Sequence, residues 1–98
     1  MARPLPLAIG MLRIRLDDVD AQRVALSLQG RIAGEWADLL EDECHHVMER
    51  GLTVVLDLSG VVFVNRSGLD ALARLHGAGV RMIGASPLIA TMLKERLP

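Results

Sequence analysis

Residues 54–72 read VVLDLSGVVFVNRSGLDAL, and the stretch changes character once. Its first half is a near-continuous apolar run, Val54, Val55, Leu56 and Leu58, of the kind seen in a strand buried on both faces of a parallel sheet. Its second half spaces Leu69 and Leu72, and then Leu75, at helical intervals. A strand that passes at once into a helix is half of a parallel crossover unit, so the stretch predicts an α/β fold. Asn65-Arg66-Ser67-Gly68 separates the two halves. In parallel sheets, ligands and partners meet the carboxyl ends of the strands, where helix N-termini turn amide hydrogens outward. The polar tetrapeptide stands at that place. A phosphate site, a phosphorylation site, a partner-docking corner and a plain helix cap would all carry similar residues there. Ser67 can cap the helix, Asp70 suits its first turn, and Gly68 permits a tight turn or a close approach.

Outward from this stretch the periods alternate. Leu12, Ile14 and Leu16 interleave with Arg13 and Arg15 as a strand with one wet face. Asp17-Asp18-Val19-Asp20 is expected to turn the chain, and Val24, Leu26 and Leu28 form a second strand, so residues 11–30 read as a hairpin. Gly30 and Gly34 bracket a short connection. From Glu35 to Arg50 the period is helical: Trp36, Leu39, Leu40, Val47 and Met48 share a face with Cys44 beside them, and Gly51 ends the helix. After the second helix, which ends at Gly77 and Gly79, Val80, Met82 and Ile83 make a short strand. Ser86-Pro87 is an N-cap followed by proline at the first helical position. It opens a last helix whose apolar stripe is Leu88, Ile89, Met92, Leu93 and Leu97. The order is β-β-α-β-α-β-α: a mixed sheet with the N-terminal hairpin at its edge and helices packed on it.

Composition narrows the function. The 98 residues read as one domain, 1–98, with residues 1–10 a loose lead. Hydrophobic residues make up 51%, enough for a core, and it is aliphatic, since Trp36 and Phe63 are the only aromatics. A net charge of -1 supplies no field for holding nucleic acid. Cys44 is the only cysteine, so no internal disulfide forms, which fits a reducing compartment. The start, MARPLPLAIGML, is broken by Pro4 and Pro6 and lacks the pattern of a signal peptide. No apolar run is long enough to enter a bilayer as a span. A cytoplasmic location is expected.

The stretch also resembles the signature of STAS domains, the fold of bacterial anti-sigma factor antagonists, sulfate-transporter tails and small transport regulators. Asp57-Leu58-Ser59 is similar to the family's apolar-Asp-apolar-Ser strand. Phe63-Val64-Asn65-Arg66-Ser67-Gly68-Leu69 is similar to its Phe-apolar-Asp-Ser-Ser/Thr-Gly-Leu. Gly30-Arg31-Ile32 and Gly84-Ala85-Ser86-Pro87 extend the likeness to roughly residues 11–97. In phospho-regulated antagonists, the resemblance implies, the first Ser of the motif receives phosphate from a kinase that is also the anti-sigma factor. Arg66 stands there and has no hydroxyl, and Asn65 replaces the preceding Asp. The family commonly continues with another strand and helix, which would leave a sheet edge here for a partner.

The sequence therefore points to a non-enzymatic regulatory module whose partner-binding residues are Asn65, Arg66, Ser67 and Gly68, with Asp57 and Ser59 supporting them from the strand end. Arg66 would be a constant docking contact, since its planar fork of donors suits carboxylate or phosphate. Phosphorylation at Ser67 is the competing expectation, opposed by the burial expected of a capping hydroxyl. Two partner classes stay open: an anti-sigma factor or kinase in transcription control, and the ATPase of an ABC-type phospholipid transporter. A homodimer is open too. No cofactor is implied. Cys44-His45-His46 is not a metal site on this reading, because successive helix residues point about 100° apart. Asn65-Arg66-Ser67 is formally a glycosylation sequon that a cytoplasmic protein would not use. There is no Walker pattern and no convincing Ser-His-Asp or Cys-His arrangement.

Overall fold

The computed structural model describes residues 12–97, so the expected loose lead at 1–10 lies outside the described residues. The chain forms β1 (Leu12–Val19), β2 (Arg23–Ile32), α1 (Glu35–Met48), β3 (Thr53–Val64), α2 (Arg66–Gly77), β4 (Arg81–Ile83) and α3 (Pro87–Lys94). The order is the one expected. The four strands lie in sequence order in one sheet, β1 antiparallel to β2 and the other neighbours parallel.

Leu26, Leu28, Val54, Leu56 and Leu58 point from β2 and β3 into the core. They meet Ala37, Leu40 and Cys44 of α1 and Leu69, Leu72 and Leu75 of α2. On the other face of β2 to β4, Arg23, Gln29, Thr53, Arg81 and Ile83 are exposed and Val55 is half-buried. This corrects the expectation that β3 is buried on both faces. Both parallel crossovers run in the same direction along the sheet, and right-handed crossovers of that kind set their helices on one side. Accordingly α1 and α2 pack against each other as well as against the sheet.

Other details differ from the sequence reading. β1 continues through Asp17 and Asp18 to Val19, with one extra residue in the pairing at Asp17. The turn comes at Asp20, whose Oδ1 accepts from the Gln22 and Arg23 amides at 2.7 and 2.9 Å. Four acidic or β-branched residues in a row conceal which one turns. Gly30 lies within β2, at φ 105°, and not in the connection. α1 stops at Met48, with Leu39 on its exposed side and Ala37 in the core. α3 starts as expected at Ser86, whose hydroxyl accepts from the Ile89 amide at 3.2 Å, but Leu88 faces outward. In both helices two neighbouring apolar residues compete for one core position, and the one nearer the centre of the stripe is buried.

Candidate functional site

β2 and β3 end side by side, Ile32 opposite Val64, and both side chains are buried under the helices. The backbone therefore leaves the sheet beside Ile32 and turns directly into α2. The Asn65 amide donates to the Ile32 carbonyl at 3.3 Å. The Asn65 carboxamide oxygen accepts from the Gly68 amide at 2.8 Å, so Asn65 is the N-cap. A Cβ at Gly68 would lie 2.0 Å from the Ile32 carbonyl oxygen, which is why glycine stands there.

Ser67 does not cap the helix, as the sequence reading allowed, and it is exposed, not buried. Its hydroxyl donates to the Asn65 carboxamide oxygen at 2.9 Å and accepts from the Gly34 amide at 3.2 Å. Gly34 is the residue from which α1 starts. Ser67 thus fastens the start of α1 to the start of α2, since Asn65 has taken the capping position two residues earlier. Burial no longer argues against a modified Ser67; its two hydrogen bonds do.

Arg66 is the first residue of α2 and is exposed, with no ion pair among the described residues. The first turn of α2 carries no acid: because Asn65, not Ser67, is the cap, Asp70 lies beyond the first turn in which the sequence placed it. A guanidinium there opposes the helix dipole and adds to the positive end of the helix.

Just upstream lies a feature the sequence reading passed over. β3 has an extra residue, Val62, between the pairs Gly30–Val61 and Arg31–Phe63. The irregularity turns two neighbouring apolar side chains outward, Val62 at 77% exposure and Phe63 at 40%. The Arg31 guanidinium lies 4.2 Å from the centre of the Phe63 ring. The available signal was an aromatic near the end of a strand in a chain with only one other aromatic.

Asp57 and Ser59 do different work. The Asp57 carboxylate accepts from the Ser59 amide at 2.9 Å, and hydrogen bonding to Ser59 holds its pKa below the usual carboxylate range. Both pack beside Gly84 (φ 75°), where a Cβ would meet the Asp57 carboxylate at 2.7 Å. They lie against the loop between β4 and α3. Their hydrogen bonds among the described residues do not reach residues 65–68. Cys44 lies in the core, where burial pushes its thiol up to about 12, while His45 and His46 are exposed. The described residues hold no cluster of metal-ligating side chains, and no helix among them is long and apolar enough to cross a membrane.

The chain matches the family model of the STAS domain over residues 14–93. No curated protein matches it. Among solved structures it is similar to an anti-sigma factor antagonist from Mycobacterium paratuberculosis, at 24% identity and TM-score 0.67, over 93% of this chain and 86% of that one. It is similar to the anti-sigma factor antagonist SpoIIAA of Bacillus in its unphosphorylated form, at 17% identity and TM-score 0.65, over 84% of this chain and 82% of that one. It is also similar to part of the murine anion transporter Slc26a9, at 15% identity and TM-score 0.56, over 86% of this chain and 18% of that one. At these identities the likeness is one of fold.

Proposed function

The chain belongs to the STAS domain family, and on that premise we propose that it is a non-enzymatic regulatory module of the anti-sigma factor antagonist kind, docking its protein partner through Asn65, Arg66, Ser67 and Gly68. Arg66 carries this reading. It occupies a helix position that favours acids, pairs with no acid among the described residues, and supplies a fork of donors for an anionic group on the partner. Phe63 and Val62 give the same corner an exposed apolar patch, as interface cores require. Because Arg66 holds the place of the usual acceptor, docking is constitutive at that position and is not switched by a phosphate there.

SpoIIAA exists in phosphorylated and unphosphorylated forms. In this chain, phosphate on Ser67 would remove the proton it donates to Asn65 and crowd the Gly34 amide, which would loosen the junction of α1 and α2. Ser67 is therefore read as a structural tie that borders the docking surface.

The experiment is an affinity capture from native-host lysate with wild type beside Arg66→Glu, read by mass spectrometry. The expected result is an ATPase-type kinase or anti-sigma factor captured by wild type and lost with the variant, whose fold stays intact. A transporter ATPase lost in the same way would keep the corner and move the protein to transport. Equal capture by both proteins would overturn the assignment of the corner.

A further inference from the structure

We propose that β1 is the docking edge for a second copy of this chain, the two β1 strands pairing antiparallel across a twofold axis to join two sheets into one. The proposal does not rest on the reading of the α2 corner.

Three observations meet at this edge. Among the described residues β1 is an outer strand of the sheet and, at eight residues, far longer than the other outer strand, β4. Its backbone groups on the outward side are a template for another strand. Second, α1 lies over β2 and β3 and leaves the helix-side surface of β1 partly bare. Leu16 is 59% and Val19 51% exposed, and both line a mainly apolar cleft of about 480 Å³ with Ile14, Val24, Val47 and Leu52, to which Glu43 and Arg50 of the α1 side also contribute. Third, the strand reads Leu12-Arg13-Ile14-Arg15-Leu16-Asp17-Asp18-Val19, basic in its first half and acidic in its second.

That order of charge identifies the occupant. A parallel copy in register would set arginine beside arginine and aspartate beside aspartate. An antiparallel copy centred on Arg15, with the bulged Asp17 counted as the extra residue, does the reverse. Arg13 then faces the twin's Asp18 at both ends of the pairing. Ile14 faces the twin's Leu16, and Leu12 the twin's Val19. All the charged members lie on the helix-free face and all the apolar ones on the helix face, because β1 pairs Arg13, Arg15 and Asp18 with Gln29, Ser27 and Ala25 of β2, and Ile14, Leu16 and Val19 with Leu28, Leu26 and Val24. The two Arg15 side chains that meet at the centre are each held by their own Asp17, at 3.3 Å. The charges that protect this edge from indiscriminate pairing admit a twin in this register.

The test measures mass in solution by light scattering and sedimentation. Wild type is expected to form a dimer that weakens as salt rises, because the end pairs are exposed. Arg13→Asp and Asp18→Arg should each be monomeric, since each places like charges opposite one another at both ends. Mixed in equal amounts they should form a heterodimer, and the double variant should dimerise like wild type. Arg15→Cys, which leaves the end pairs untouched, should form an intermolecular disulfide on mild oxidation, whereas Arg23→Cys should not. Arg66→Glu should dimerise normally. Monomeric wild type at all attainable concentrations overturns the proposal. So do dimers that survive either single charge reversal, or an Arg15→Cys protein that fails to cross-link.

Discussion

If Arg66 docks a partner as proposed, stability and function oppose each other at the first residue of α2. A cation in the first turn of a helix opposes the dipole, and replacing it by an acid there favours the helix by about 0.5–1 kcal/mol. Arg66→Glu should therefore be slightly more stable than wild type in chemical denaturation, even as it loses its partner. A variant that loses both would mark Arg66 as a structural residue. Two residues on, Gly68→Ala should cost about 3 kcal/mol, because the added methyl collides with the Ile32 carbonyl and the strand end has to move. Asn65→Ala should cost about 1 kcal/mol, the usual effect of losing a cap. Both are read from denaturant midpoints. That these four residues form one corner was legible in the sequence. Their division of labour was not, since Asn and Ser cap equally well and the choice depends on where β3 releases the chain. The contact from Ser67 to Gly34, 33 residues away, has no local signal at all.

At the scale of elements, the pairing of α1 with α2 is set by more than apolar contact. Arg74 grips Glu41 with two hydrogen bonds, at 2.9 and 2.8 Å. Those bonds hold the Glu41 pKa below its ordinary value, with the Arg74 charge adding to the effect and burial opposing it. The sign follows directly. The stabilisation is fully present above the ordinary glutamate pKa and is lost as the pH falls through the lowered one. Asp20 and Asp57 are lowered as well, by hydrogen bonds from neighbouring amides, and act in the same direction. Glu41→Gln should thus be less stable than wild type at neutral pH and lose less stability on acidification, so that their denaturation midpoints converge in acid. Parallel curves would count against this tie. At the other end of α2, Arg96 bonds to Asp70 and brings the chain after α3 back to the helix. Helical spacing, with the Ser86-Pro87 start for the last, located all three helices, but spacing ranks neighbours such as Leu39 and Leu40 equally, and tertiary contact alone decides between them. The hairpin turn was obscured for a related reason: Asp17, Asp18 and Asp20 are all turn formers, and the bulge at Asp17 lets the strand run past the first two.

For the whole molecule, the sheet separates two kinds of surface. One face is sealed by α1 and α2, and the carboxyl ends of β2 and β3 carry the corner built on Asn65, Arg66 and Gly68 with Phe63 beside it. Strand and helix order was readable because the apolar period switches cleanly between two and three to four residues. That no helix among the described residues packs on the second face was not, since an apolar run such as Val54 to Leu58 says that a strand is central without saying how many of its faces carry helices. Docking of a protein partner at the start of α2, as proposed, can be read residue by residue from the amide spectrum of isotopically labelled chain while the captured partner is titrated in. Perturbations should concentrate at residues 62–69 and at Arg31 and Gly34, with the outer strand β4 and α3 unchanged. Perturbations centred on β4 or α3, with residues 65–68 unmoved, would contradict it.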